Sequence, residues 1–217
     1  MASGTDFGGI HSYYNLHLLQ AAVEVAPAEP KLNFINIPGA DGAKDFSEAP
    51  AGRVVYNTRQ ITWTYKLYPG DDWAAKYAQV NNALNGRRCK ITLDADPDYY
   101  YNGRLAVDKQ EAEGLLHTIT ITAVCQPYKL KQTETIRTEE VSTTEQTIQL
   151  INDRKPAIPL IELTAETTIG WNGGYITLPP GEHRSLDIEL PEGVSEMTAK
   201  TVSGTGTLTI TYQEGAL

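Results

Sequence analysis

The sequence predicts a mainly β protein in two units with one α-helix, and three observations carry that prediction. Short runs rich in Val, Ile, Thr and Tyr alternate apolar and polar residues along most of the chain, the period of a half-buried strand. One stretch, 71–86, has helical spacing instead. Near residue 131 the composition turns polar and acidic before strand-like runs resume. A chain of 217 residues exceeds the usual single domain and falls short of three, so length alone favours two compact units or one large β unit.

The strand-like runs are YNLHLL (14–19), LNFINI (32–37), RQITWTYKLY (59–68), RCKITLD (88–94), LLHTITITAVC (115–125), AIPLIELTA (157–165), SLDIEL (185–190) and GTLTITY (206–212). In 115–125 the set Leu115, Ile119, Ile121, Ala123 and Cys125 alternates with Leu116, Thr118, Thr120, Thr122 and Val124. One face is therefore expected in the core, and the other, mostly threonine, against water or a partner. Between 71 and 86, Trp73, Tyr77, Val80 and Leu84 fall on one stripe of an amphipathic helix, expected to pack on a sheet. Asp71 frames its start and Gly86 its stop. From residue 131, KQTETIRTEEVSTTEQT offers little to a core, and its threonines suit an extended connector or an edge strand better than a flexible linker. The expected units are 1–130 and 131–217.

LDADPDYYYNGRL (93–105) admits two readings. Asp94, Asp96 and Asp98 have the spacing that opens an EF-hand loop, but Tyr99 stands where that loop needs Gly, Leu105 where it needs Glu, and Pro97 lies inside it. The other reading makes Asn102-Gly103 the centre of a type I′ turn, where both residues need positive φ. Tyr99, Tyr100 and Tyr101 then lead into a hairpin on alternating sides, and valine at Gly103 is expected to damage folding. In the second unit, TIGWNGGYITLPPGEH (168–183) joins Trp171 to Tyr175 through Asn172, Gly173 and Gly174. An exposed Trp171 beside Asn172 could stack on a sugar and hydrogen-bond it. Alternatively, Trp171 packs at a sandwich end while Asn-Gly makes a tight turn.

The net charge is −9, from 18 basic and 27 acidic residues, and no basic stripe offers itself to phosphates, so nucleic acid is not expected as a bound ligand. The chain has no GxSxG, HExxH, CxxC, Walker or dinucleotide motif, and His11, His17, His117 and His183 lack metal spacing. Cys89 and Cys125 lie in strand-like runs and read as buried reduced thiols rather than a disulfide, and they are too few for zinc. No catalytic, cofactor or metal residues are expected, and the chain is not read as an enzyme. MASGTDFGGI lacks a basic cluster before an apolar run, and nowhere do about 18 apolar residues follow one another, so neither secretion nor membrane insertion by a signal of its own is expected.

A series of short landmarks, taken in order, resembles the distal tail proteins of tailed phages, the baseplate hub family of siphophages infecting Gram-positive hosts. They are Ile37-Pro38-Gly39-Ala40-Asp41-Gly42, Tyr56-Asn57-Thr58-Arg59 before a strand, Trp73 in the helix, and Leu84-Asn85-Gly86 at its end. Asp96-Pro97 with Tyr100-Tyr101-Asn102-Gly103-Arg104 follows, then Cys125-Gln126-Pro127-Tyr128-Lys129 and the ending ITYQEGAL. The resemblance implies an N-terminal β-barrel-like domain with a helix, assembling as a hexameric ring around a channel continuous with the tail tube, and a galectin-like C-terminal β-sandwich outside the ring. Gly39, Gly42, Asn102 and Gly103 would be turn residues, and Pro127 and Tyr128 the junction. The implied partners are the tail tube protein, the tail-associated tip protein and, around the rim, receptor-binding or other baseplate proteins, with DNA passing through unbound. The implied location is the distal end of the virion tail, after assembly in the host cytoplasm, and the implied cofactors are none. A carbohydrate-binding module using Trp171 and Asn172, and a tail tube protein, are the alternative readings.

Overall fold

The computed structural model describes residues 4–68, 70–113 and 116–217. The described residues are mainly β with one helix, and the chain divides into two compact units, Met1–Lys129 and Leu130–Leu217. The first contains β1 (Thr5–Phe7), β2 (Leu19–Val25), β3 (Phe34–Asn36), β4 (Ala43–Asp45), β5 (Arg59–Lys66), α1 (Trp73–Leu84), β6 (Arg88–Leu93), β7 (Asp96–Glu113) and β8 (Leu116–Cys125). Six of these strands form an antiparallel path in the order β1-β6-β7-β8-β5-β2, while β3 pairs with β4 apart from it.

In a flat sheet β1 and β5 would lie about 19 Å apart, four spacings of about 4.8 Å. Instead, Phe7 of β1 meets Trp63 of β5 edge to face, with ring centroids 5.1 Å apart. Thr5 Oγ1 of β1 also donates to Gln20 Oε1 of β2, the far end of the path, at 2.9 Å. The sheet therefore curls back on itself in a barrel-like way, and Phe7, Ile61, Trp63, Ile91, Ile119 and Ile121 fill its interior with no exposed surface.

The helix adds to this core. Its expected stripe is graded, with Val80 and Leu84 buried, Tyr77 half-buried, and Trp73 44 % exposed and stacked on His117. Asp72, one residue beyond the expected Asp71, caps it, accepting from the Ala74 and Ala75 amides at 3.0 and 3.2 Å. Past Asn85, Gly86 takes φ 75° and turns the chain away. On β8, Ile119, Ile121, Ala123 and Cys125 are buried, whereas Thr118, Thr120 and Thr122 are half-buried and Val124 is exposed. Leu115 and the Leu116 side chain lie outside the described residues.

The turn expected at Asn102-Gly103 is absent. β7 runs unbroken through both, with Asn102 opposite Lys90 and Gly103 between Cys89 of β6 and Cys125 of β8. The hairpin turns instead at Asp94-Ala95, between the facing residues Leu93 and Asp96. Glycine at 103 answers a packing constraint: a Cβ there would lie 2.5 Å from Cys125 Sγ, 3.2 Å from Ile91 Cδ1 and 3.3 Å from the Val124 carbonyl oxygen. Cys89 and Cys125 flank it two strand spacings apart, about 9.6 Å, beyond the reach of a disulfide, and both are free thiols.

Two runs read as strands are loops. Residues 14–18 form turns before β2, and 185–190 makes only a bridge, between Leu190 and Ala157. Their apolar residues are anchors: Leu16, Leu18, Ile188 and Leu190 are buried. Alternation reported burial there without reporting a ladder.

The chain continues with β9 (Lys129–Lys131), β10 (Thr135–Val141), β11 (Gln146–Asn152), β12 (Leu160–Leu163), β13 (Thr167–Trp171), β14 (Gly174–Leu178), β15 (Gly181–His183), β16 (Gly193–Thr201), β17 (Gly206–Tyr212) and β18 (Gly215–Ala216). Two four-stranded antiparallel sheets, β10-β17-β12-β15 and β11-β16-β13-β14, make the second unit a sandwich. Its single core joins Ile161, Leu208 and Ile210 of one sheet to Ile148, Ile169 and Met197 of the other. The polar stretch after residue 131 forms two edge strands of this sandwich, β10 and β11, and not a connector. Val141, Ile148 and Leu150 supply their buried side. Near the chain end, Lys131 Nζ lies 2.8 Å from Glu214 Oε2 and 3.0 Å from Asp153 Oδ2.

Gly103→Ala is expected to lower the melting temperature by the equivalent of about 1–3 kcal/mol of overpacking. Adding Cys125→Ala should recover much of that loss, so a double-mutant melting cycle should be strongly non-additive; an additive cycle would remove the packing explanation. Burial pushes the Cys125 thiol from 9.0 up to about 12 and the Tyr65 hydroxyl from 10.0 up to about 12. Both hold protons in the folded unit where the unfolded chain would release them. The stability they contribute is full below pH 9 and is lost as pH rises toward 12. Melting curves taken across that window should fall steadily, and Cys125→Ala should flatten the early part of the decline.

Candidate interaction surfaces

From Glu29 to Phe46 every residue is exposed. After β2 the chain leaves the barrel and returns at β5, paired with itself through Ala26 N to Gln60 O (3.0 Å), Asn57 N to Glu29 O (2.8 Å) and Lys31 N to Val55 O (2.8 Å). Beyond these bonds, β3 and β4 form a two-stranded hairpin whose loop contains Gly39 at φ 82° and Gly42 at φ 69°. Those angles favour glycine, and both lie within the IPGADG landmark. At its base Ser47 Oγ accepts from the Asn33 amide at 2.8 Å, and the Ser47 amide donates to Asp45 Oδ1 at 2.8 Å. Bonds from the Ser47 hydroxyl and then its amide hold the Asp45 carboxyl below its usual range.

Five large apolar side chains line this arm: Leu32 (62 % exposed), Phe34 (56 %), Ile35 (46 %), Ile37 (39 %) and Phe46 (38 %). A groove of about 550 Å³ at its base is walled by Pro30, Leu32, Phe46, Val54 and Tyr56. A two-stranded ribbon is marginal in water, and contiguous exposed apolar surface marks an interaction site. Strand reading placed LNFINI correctly as extended chain but expected no such exposure. The available signal was apolar residues on both phases of the alternation, 32 and 34 against 35 and 37, which calls for cover on both faces.

A second surface is polar, with Lys66 as its one charge on these two strands. Across the outer face of β5 and β8, Thr62 pairs with Thr122, Thr64 with Thr120 and Lys66 with Thr118. The five threonines are half-buried by one another and their neighbours.

The other residues singled out in the sequence have structural places. Each tyrosine of the 99–101 run lies near a cation: Lys129 Nζ is 4.3 Å from the Tyr99 ring centre, Lys90 Nζ 4.3 Å from that of Tyr100, and the Arg59 guanidinium 5.7 Å from that of Tyr101. Tyr100 and Tyr101 are 5 % and 6 % exposed, so the run is not an open platform. Asp94 accepts from the Gly4 amide at 2.7 Å and lies 3.2 Å from His11, while Asp96 pairs with Lys129 at 2.7 Å. Among the described residues no group of three His, Cys, Asp or Glu could hold a metal. Pro127 and Tyr128 form the bend between β8 and β9, the Tyr128 ring standing edge-on to Tyr56 at 5.8 Å. Trp171 is only 8 % exposed and sits in the sandwich core, so it does not offer the open face that stacking on a sugar requires. Asn172 (φ 47°) and Gly173 (φ 80°) make the tight turn between β13 and β14.

No protein-family model and no curated protein matches the chain. Among solved structures it is similar to SPP1 Dit, described as a paradigm of the hub adsorption apparatus in phages infecting Gram-positive hosts. The two are 15 % identical and superpose with a TM-score of 0.70 over 100 % of each chain. From end to end, this chain has the fold of SPP1 Dit.

Proposed function

We propose that this chain is a structural subunit of a phage tail: a distal tail, or baseplate hub, protein that forms a ring joining the tail tube to the tip and adsorption apparatus. The observation that carries this reading is the apolar arm, along which five large apolar side chains are left 38–62 % exposed. The whole-chain likeness to a hub protein supports it. An arm on one side of a subunit that docks on a different surface of the next copy is a heterologous contact, and such contacts close into rings when the rotation allows. A hexamer is the ring we propose, with the tail tube protein on one face, the tip protein on the other, and receptor-binding or other baseplate proteins around the rim. DNA would pass without binding, consistent with a net charge of −9 and the absence of a basic stripe. The subunit would act at the distal end of the virion tail after assembly in the host cytoplasm, without catalysis.

Electron microscopy of the purified full chain, alone and with tail tube protein, is expected to show discrete six-fold rings. Phe34→Asp combined with Ile35→Asp should abolish them while leaving the melting temperature of the barrel-like core nearly unchanged, because neither side chain belongs to that core. Long polymers would indicate a tube subunit instead, and a monomer under every condition would overturn the reading.

A further inference from the structure

The sandwich has an open side. β14 ends the order β11-β16-β13-β14 and, among the described residues, hydrogen-bonds only to β13. The two-residue turn at Asn172-Gly173 makes Trp171 and Gly174 a hydrogen-bonded pair, and alternation then sets Ile176 and Leu178 facing β13 in the same way. The amide and carbonyl groups of Tyr175 and Thr177 consequently point away from the sheet, and no backbone bond reaches them there among the described residues.

Exposed edges are ordinarily blunted by charge, proline or shortness. β10 carries Arg137, Glu139 and Glu140, and β15 is three residues long. β14, Gly-Tyr-Ile-Thr-Leu, has none of these protections. β11 is an uncharged edge too, but its inner residues Ile148 and Leu150 are sealed at 3 % and 1 % exposed, against 36 % for Ile176. Beside β14 the core lies open as a groove of about 280 Å³, walled by Ile169, Trp171, Ile176 and Ile188, with Ser185 and Asp187 on the opposite bank. The buried indole N–H of Trp171 has no acceptor. Asp187 is exposed and pairs with no cation among the described residues, its one side-chain partner being the Ser185 hydroxyl at 3.5 Å. It belongs to a unit with 6 basic and 13 acidic residues over 131–217.

We propose that the free edge of β14 is a docking site for an extended peptide strand, aliphatic on the side facing the groove and carrying a Lys or Arg that reaches Asp187. Backbone ladder bonds to Tyr175 and Thr177 would supply affinity, and the apolar groove with its carboxylate would select sequence. The unpaired ladder groups favour a polypeptide over a small ligand, and the uncompensated carboxylate on an acidic unit favours a basic strand. The site is independent of ring formation, since it uses only the second unit.

The probes are fluorescently labelled hexapeptides alternating valine and threonine, with a terminal lysine or a glutamate in its place, titrated into the full chain and followed by anisotropy. The lysine peptide should bind, the glutamate peptide on the order of tenfold more weakly. N-methylation of alternate amides, which removes ladder donors without changing side chains, should abolish binding in one of its two phases. Amide exchange of Tyr175 and Thr177 should slow on binding. Thr177→Pro should fold, because proline suits an edge position whose N–H faces solvent, yet lose the peptide. Asp187→Lys should invert the preference between the two peptides. Absence of binding, binding indifferent to N-methylation in both phases, or competition by an oligosaccharide without protection of these two amides would overturn the proposal.

Discussion

Phe7 of β1 and Trp63 of β5 meet in the core of the first unit. They stand on strands that a flat sheet would hold about 19 Å apart, so their contact means that the six-strand path has curled back on itself. Strands β1, β5, β6, β7 and β8 each turn one face inward, and those faces, with Val80 and Leu84 of the helix, make up the buried core. No residue between β2 and β5 belongs to that core, and the apolar residues of the arm lie at the surface.

Magnitude decides how far the arm alone can go. Burying a fully exposed large aliphatic or aromatic side chain is worth about 1.5–3 kcal/mol. Side chains already half covered, as these five are, gain on the order of 1 kcal/mol each. The total of about 5 kcal/mol lies at the low end of the 4–15 kcal/mol estimated for lost translational and rotational freedom on association. A ring held only by arms would be weak. A second, broader surface is required on energetic grounds, and the threonine-rich outer face of β5 and β8 is the candidate, with Lys66 as its one charge to desolvate.

What was legible in the sequence follows from whether its cause is local. The alternation of Ile119, Ile121, Ala123 and Cys125 against threonines, and the helical stripe ending at Leu84, are periodic, and periodicity is a property of neighbours in the chain. Asn-Gly shows the limit. Asn172-Gly173 is a turn with positive φ at both residues, whereas Asn102-Gly103 lies in the middle of an eighteen-residue strand. The same dipeptide carries opposite meanings because glycine at 103 is required by the Cys125 sulfur on the next strand, 22 positions away in the chain. The arm was illegible for a related reason: LNFINI reads as a strand, and nothing local to it shows that the core of the first unit is made without it. Trp171 shows the converse, since burial withdrew from solvent a residue whose sequence neighbours fit a sugar platform.

In the proposed ring the arm is exposed within one chain and covered by the next. Amide hydrogen exchange of Phe34–Asp45, followed from dilute to concentrated protein, tests it directly. Fast exchange is expected at dilution and marked protection at concentrations where the chain assembles, with the amides of β5 and β8 that pair with each other protected throughout. Slow exchange of the arm in a demonstrably monomeric sample would mean that the chain covers the arm itself, and would overturn the proposed docking.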